Sequence, residues 1–133
     1  MKKFITLLSI GIFLSFALSG CKQDKGPIED DTDNGNVSFD QVQAIFDQNC
    51  ISCHPSSGNL DLRRGQSYNQ LVNVPASGYQ GLRVSPGHSD QSVLYGKIDG
   101  SGRYGSNMPL GGSLSQQQID LIKDWIDQGA RNQ

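Results

Sequence analysis

The segment CISCH, residues 50 to 54, constrains this chain more than any other. It places two of the three cysteines and one of the two histidines within five residues. Thiolates and imidazoles bind metals, and paired thiols also carry redox or covalent chemistry. Cys50, Cys53 and His54 therefore form a redox-active dithiol, part of a metal site or a covalent attachment site for haem. The rest of the chain decides among these three interpretations.

The first 20 residues have the pattern of an export signal. Lys2 and Lys3 precede residues 4 to 18, which carry no charge and are too few for a typical membrane span. The segment ends in LSGC, which resembles the bacterial lipoprotein signal. That resemblance implies that residues 1–20 are a signal peptide and that Cys21 is lipidated, which anchors the chain stably in a membrane. The alternative is an ordinary cleaved signal that leaves Cys21 as a free thiol.

Residues 21–36 predict a flexible acidic tether behind the lipidated cysteine. They contain five acidic residues but only one large apolar side chain, Ile28, which is too little apolar surface to offset the entropy lost on ordering. Residues 37–133 remain as one domain, in which seven Lys and Arg face eight Asp. This near balance gives no indication of nucleic-acid binding.

Two helix-start signals lie at opposite ends of this domain. Ser38 with Gln41 and Ser115 with Gln118 form capping-box patterns, and each precedes apolar residues at helical spacing. Residues 89–98 predict a shorter helix, and glycine-rich loops join these segments. No stretch shows the two-residue alternation of a strand. We expect an all-α domain with long loops, which at this size usually needs a cross-link or a cofactor for stability.

This helical setting separates the three interpretations of the motif. A redox dithiol normally begins a helix beside a parallel sheet, whereas Cys50 follows the end of a predicted helix. A structural zinc site needs four ligands, and only His88 remains outside the motif once Cys21 is lipidated, which disfavours zinc. The haem interpretation uses the whole motif, because each thiol adds to one vinyl group of the porphyrin and His54 binds the iron. We therefore expect one haem c, attached through Cys50 and Cys53.

The second axial position of the iron has one leading candidate. Apart from Met1, Met108 is the only methionine, and it lies in a glycine-rich segment with Pro109 directly after it. Met108 lies 54 positions after His54, which is enough for a loop to reach the opposite face of the haem. His88, in the turn SPGHSD, is the second candidate, and an open sixth position is the third.

The order of elements in this domain resembles that of a small monohaem cytochrome c. A helix leads directly into Cys-x-x-Cys-His, and a methionine-proline loop and a C-terminal helix follow. The segments GNLDL, VSPGHSDQSVLYGKI, NMPLGG and LIKDWIDQGA are similar to cytochrome c domains of exported planctomycete- and Bacteroidetes-type proteins, over residues 39–130. The resemblance implies a cytochrome c-like fold, Met108 as the distal ligand and His88 in a turn away from the iron. Leu110 departs from the pattern, which commonly has a second proline there.

Two groups of residues are candidates for the surroundings of the haem. Apolar side chains are expected to pack on the porphyrin or in an ordinary core: Phe39, Phe46, Leu60, Leu62, Tyr68, Leu94, Ile122 and Trp125. Four arginines are available to the propionates, although each is also typical of a solvated surface: Arg63, Arg64, Arg83 and Arg103.

These features predict a one-electron carrier rather than an enzyme. Histidine and methionine together fill both axial positions, so O₂ or a substrate binds only by displacing a ligand. The expected partners are other redox proteins and, through Cys21, a membrane, and we expect a monomer. Lys22, rather than Asp, follows Cys21, and this resembles the enterobacterial sorting signal for the outer membrane, which implies an anchor there with the domain facing the periplasm or the cell surface. The acidic run after Lys22 favours display at the cell surface.

Two other functions stay open at this stage. If Met108 dissociates, the protein is a haem-based sensor of small ligands or a peroxidase. If no haem is attached, it is a lipoprotein that uses Cys50 and Cys53 as a dithiol.

Overall fold

The computed structural model describes residues 35–133. The fold described below is that of this part of the chain. The predicted signal peptide, the lipidated Cys21 and nearly all of the tether lie outside the described residues, so these stay predictions. Within residues 35–133 no helix is long and apolar enough to cross a membrane.

The described part of the chain is helical. Four α-helices are present: α1 (Phe39–Asn49), α2 (Ser67–Leu71), α3 (Val93–Ile98) and α4 (Gln116–Asp127). Two 3₁₀ turns, Ser57–Asn59 and Ser89–Gln91, lie between them. Two isolated β-bridges, Val72 with Val84 and Pro75 with Leu82, are the only extended pairing within these residues. The all-α prediction is confirmed, and the predicted 89–98 helix is divided into a 3₁₀ turn and α3.

Both predicted capping boxes are present. The Ser38 Oγ accepts a hydrogen bond from the Gln41 backbone N–H at 3.4 Å, and the Gln41 Oε1 accepts from the Ser38 N–H at 2.9 Å. Ser115 and Gln118 make the same pair of bonds at 3.3 Å and 3.0 Å. These bonds satisfy N–H groups that have no partner inside the helix, and they fix where α1 and α4 begin.

The N-terminal end of α1 packs against α4 and α2 through aromatic side chains. The ring of Phe39 lies 5.2 Å from the ring of Trp125 and 5.2 Å from that of Tyr68, measured between centroids. The Phe39 N–H donates to the carbonyl of Gln133 at 2.7 Å, and the Tyr68 hydroxyl donates to the carbonyl of Ala130 at 3.0 Å. The two ends of the domain are therefore tied together around a buried aromatic cluster, which we call the aromatic clasp: Phe39, Tyr68 and Trp125.

Candidate functional site

An apolar cavity of about 290 Å³ lies at the other end of α1. Its walls come from α1, α2, α3, α4 and the loops between them, so residues far apart in the sequence meet there. Five of the predicted haem-packing side chains line it: Phe46, Leu60, Leu62, Leu94 and Ile122. The cavity is thus an apolar pocket at the C-terminal end of α1, beside the cysteine motif.

The other three predicted haem-packing residues do not line this cavity. Phe39, Tyr68 and Trp125 form the aromatic clasp instead. Phe39 and Phe46 share one face of α1, and their ring centroids are 6.5 Å apart. They are seven positions apart, which places their backbones roughly 10 Å from each other along the helix axis. The helical spacing of the apolar residues therefore predicted the buried face of α1 correctly. It did not show which residues on that face line the cavity.

The motif forms a tight turn directly after α1. The Cys50 N–H donates to the Phe46 carbonyl at 2.9 Å, and the N–H groups of Cys53 and His54 both donate to the Cys50 carbonyl, at 3.1 Å and 2.9 Å. Cys50 is half-buried and lines the cavity, whereas Cys53 is exposed. The turn thus gives the cysteine pair one side chain in the cavity wall and one at the surface.

The environment of Cys50 does not suit a redox dithiol. Burial, followed by the charge of Cys53, raises the pKa of the Cys50 thiol to about 11. Reactive dithiols have the opposite shift, because a helix N-terminus or a nearby cation lowers the pKa of the attacking thiol. Cys50 instead caps the C-terminal end of α1.

The imidazole of His54 lines the cavity with its tautomer fixed. The His54 Nδ1 lies 2.8 Å from the carbonyl oxygen of Ser57. Because a carbonyl oxygen only accepts hydrogen bonds, Nδ1 carries the proton and Nε2 is left as the basic nitrogen. A second-sphere carbonyl of this kind orients metal-binding histidines. The geometry therefore makes Nε2 of His54 an available metal ligand.

Met108 lines the same cavity from the loop between α3 and α4. Its side chain is half-buried and packs against the hydrophobic core, and its N–H donates to the carbonyl of Lys97 at 2.7 Å. His88, the second candidate for the sixth position, is exposed in a turn before the second 3₁₀ segment and does not line the cavity. The fold thus brings together Cys50, His54 and Met108, but not His88.

Arg83 is a cavity residue that the sequence did not distinguish from the other arginines. Only 9% of its surface is exposed, and its guanidinium donates to the carbonyls of Asn59 and Gln70, each at 2.8 Å. No carboxylate among residues 35–133 forms an ion pair with it. A solvated surface charge is therefore the wrong description of Arg83, which is a buried cation in the cavity wall.

The other three candidate arginines have ordinary surface roles. Arg63 pairs with Asp61 at 2.6 Å, and Arg64 pairs with Asp40 at 2.7 Å and Asp47 at 3.3 Å. Arg103 donates to the backbone carbonyl of Asp90. None of the three lines the cavity.

The residues around this cavity fit a covalently attached haem. The lining is largely apolar, as a porphyrin ring requires, and it includes the Cys50 thiol, an imidazole nitrogen and a thioether sulfur, with the Cys53 thiol beside it at the surface. This set of groups is that of haem c with iron ligation. Arg83 adds a buried positive charge that suits a propionate carboxylate.

Comparison with known proteins identifies the family. Residues 39–130 match the family model described as Cytochrome c, and the chain belongs to that family. No curated protein and no solved structure matches the chain significantly. Members carry covalently attached haem c, and Cys50 and Cys53 occupy the attachment positions of the Cys-x-x-Cys-His motif in this chain. Haem-based electron transfer is the general function, some members are peroxidases, and the domains are typically exported.

Proposed function

We propose that this protein is a membrane-anchored one-electron carrier, and not an enzyme, whose haem iron is bound by His54 and Met108. The observation that carries the proposal is that one apolar cavity is bordered by both side chains and by Cys50. Haem c supplies a one-electron Fe(III)/Fe(II) couple when bound. The protein residues attach it, fill its axial positions and exclude water.

The two axial side chains define the proposed reactivity. The hydrogen bond from His54 Nδ1 to the Ser57 carbonyl, at 2.8 Å, orients the ring and directs the Nε2 lone pair of the neutral tautomer to the iron, and it makes the imidazole a stronger ligand. The thioether of Met108 favours the reduced iron more than a second imidazole would, and so raises the reduction potential. With both positions filled, electron transfer needs no bond between the iron and a substrate.

Arg83 is the residue that we propose for a haem propionate. Its guanidinium is buried, it lies in the cavity wall, and within the described residues it has only neutral acceptors. A buried charge is costly without an ionic partner. A propionate carboxylate would supply that partner.

The proposed location depends on the sequence signals at the N-terminus. Residues 1–20 are the signal peptide, Cys21 carries the lipid, and residues 22–36 tether the domain, residues 37–133, to a bacterial membrane. The outer membrane, facing the periplasm or the cell surface, is the proposed site, with other redox proteins as partners of a monomeric carrier. Cys21→Ala should abolish incorporation of labelled fatty acid and release the protein from membranes. An acylated or still membrane-bound variant would contradict the anchor.

Spectra of the matured protein test the ligation. In the ferric protein we expect the charge-transfer band of methionine-bound haem, and in the reduced protein we expect only slow binding of carbon monoxide at neutral pH. Met108→Ala should remove the band and admit carbon monoxide, whereas His88→Ala should change neither. Rapid binding of carbon monoxide by the unaltered protein would favour a sensor or a peroxidase instead.

A further inference from the structure

We infer that Lys97 is a positioning residue that holds the Met108 loop, residues 99–108, over the cavity. The inference rests on the proposed His54 and Met108 ligation, and it concerns what keeps the second ligand in place. Lys97 lies in the last turn of α3 and lines the cavity itself.

Three hydrogen bonds join Lys97 to the end of the loop that carries Met108. Its backbone carbonyl accepts from the Met108 N–H at 2.7 Å. Its Nζ donates to the carbonyl of Ser106 at 2.6 Å and to that of Tyr104 at 3.0 Å. A single residue of α3 thus contacts the backbone at both ends of the segment from Tyr104 to Met108.

The side chain of Lys97 is directed to the loop rather than to an acidic partner. No ion pair of Lys97 is present among residues 35–133. Besides the two carbonyls, the Lys97 Nζ faces Tyr79. The hydroxyl oxygen of Tyr79 is 3.5 Å from Nζ, and the centre of its ring is 5.5 Å from Nζ. Two carbonyls and an aromatic face therefore surround the charge, and each of them favours a cation.

A second contact brings the same loop onto α3. The ring of Tyr104 lies so close to Gly96 that a Cβ at position 96 would be 2.6 Å from Tyr104 Cε2. The Tyr79 ring packs edge-on against Tyr104 at 5.4 Å. Gly96 and Lys97 are consecutive, so the loop is packed on one residue of α3 and hydrogen-bonded to the next.

The composition of the loop explains why such a contact is needed. Gly100, Gly102 and Gly105 all have positive φ and give the chain little stiffness of its own. An untethered loop of this kind would sample many conformations in which Met108 leaves the cavity. The hydrogen bonds of Lys97 thus set the fraction of molecules in which Met108 stays in place.

The experiment compares carbon monoxide binding by the reduced, full-length holoprotein and by its Lys97→Met variant. Losing a charge-assisted hydrogen bond to a loop carbonyl should raise the dissociated fraction of Met108, and hence the rate of carbon monoxide binding, by roughly ten- to a hundred-fold. The ferric charge-transfer band should weaken in parallel. Lys97→Arg, which keeps the charge and the donors, should restore most of both signals.

Two control variants separate positioning from general stability. Lys123 makes an equally short contact, 2.7 Å to Asp127, but within α4, so Lys123→Met should leave carbon monoxide binding unchanged. Trp125→Phe disturbs the fully buried core without touching the loop. It should lower the melting temperature but not admit carbon monoxide.

The outcomes distinguish this inference from the proposed ligation. If the unaltered protein shows the band and Lys97→Met binds carbon monoxide no faster than Lys123→Met, the ligation stands and the role of Lys97 is overturned. If the unaltered protein lacks the band, the ligation fails and the inference fails with it. Should Lys97→Met not retain haem, Lys97→Gln takes its place, and carbon monoxide binding at the unaltered rate would equally overturn the role.

Discussion

The two ends of α1 are buried in different ways. At the N-terminal end Phe39 packs against Tyr68 and Trp125, so the chain's own aromatic side chains fill the space between helices. At the C-terminal end Phe46 and Cys50 border the apolar cavity that we propose for haem c. The protein's own side chains thus complete the core at one end of α1, whereas the proposed cofactor would complete it at the other.

This difference assigns separate tasks to the two regions. The aromatic clasp joins the ends of the domain through hydrogen bonds as well as rings, including a bond from Trp125 Nε1 to the Arg131 carbonyl at 2.9 Å. The cavity end is built largely of loops that surround the cavity. Variants at the clasp should therefore change stability with little change in the haem spectrum, and variants at the cavity should change both.

Removing the covalent attachment should have the largest effect. In the double variant Cys50→Ala, Cys53→Ala we expect no covalently bound haem and a loss of unfolding free energy of about 5 kcal/mol or more, which is comparable to the whole net stability of a small domain. Haemochrome spectra and thermal denaturation followed by circular dichroism would measure this. Ser52→Ala, between the two cysteines, is the control and should behave as the unaltered protein. Cooperative unfolding of the double variant near the original temperature would contradict the cofactor's part in the core.

A truncating substitution in the aromatic clasp should have the next largest effect on stability. Trp125 is fully buried, so Trp125→Ala should lower the free energy of unfolding by about 3–5 kcal/mol through lost contacts and a residual cavity. Below the unfolding transition its haem spectrum should match that of the unaltered protein. Leu110→Ala, at a side chain that is 69% exposed, is the control and should change stability by less than about 0.5 kcal/mol. A changed spectrum in folded Trp125→Ala would show that the two ends are not separate.

Arg83 tests the cavity end on its own. Arg83→Met leaves the carbonyls of Asn59 and Gln70 without their donor, which should lower the free energy of unfolding by about 2 kcal/mol. The loss of a positive charge beside the haem should also lower the reduction potential, measured by redox titration. Arg64→Met is the control, because its exposed ion pairs contribute about 1 kcal/mol or less and it lies outside the cavity. An unchanged potential in Arg83→Met would exclude the propionate contact.

The smallest effect concerns acid stability near the cavity. The side-chain hydrogen bond from Arg63 is the main reason that the pKa of Asp61 falls from 3.8 to about 2. Because the folded-state pKa is the lower one, the stabilisation is complete above pH 3.8 and disappears as the pH falls from 3.8 to about 2. Asp61→Asn should therefore remove a small part of the stability at neutral pH and reduce its decline over that interval. Acid titrations of the two proteins with parallel declines would contradict this.

Much of the helical framework follows from local sequence. The capping boxes at Ser38 and Ser115 are local hydrogen-bonding patterns, so α1 and α4 begin where they were predicted. The weaker signal in residues 89–98 gave only approximate limits, because a short helix depends on tertiary packing more than on its own propensity. The haem-attachment motif could also be predicted from the sequence, since its five residues are contiguous.

The surroundings of the site depend on contacts between distant segments. Nothing in the sequence distinguishes Arg83 from Arg63, because burial results from how the 72–84 segment packs on the cavity. The Ser57 carbonyl that fixes the His54 tautomer is a backbone group, and every residue has one. Only the folded loop shows which carbonyl comes within 2.8 Å of the imidazole.

The sequence by itself determined the helical class, the first residues of the two main helices and the residues that attach the haem, because each is encoded in short contiguous patterns of hydrogen-bonding and thiol groups. Tertiary structure alone decided which apolar residues face the cavity, which arginine is buried and how Lys97 binds the Met108 loop. These features depend on how separate segments of the chain are placed relative to one another, and local periodicity carries no information about that placement.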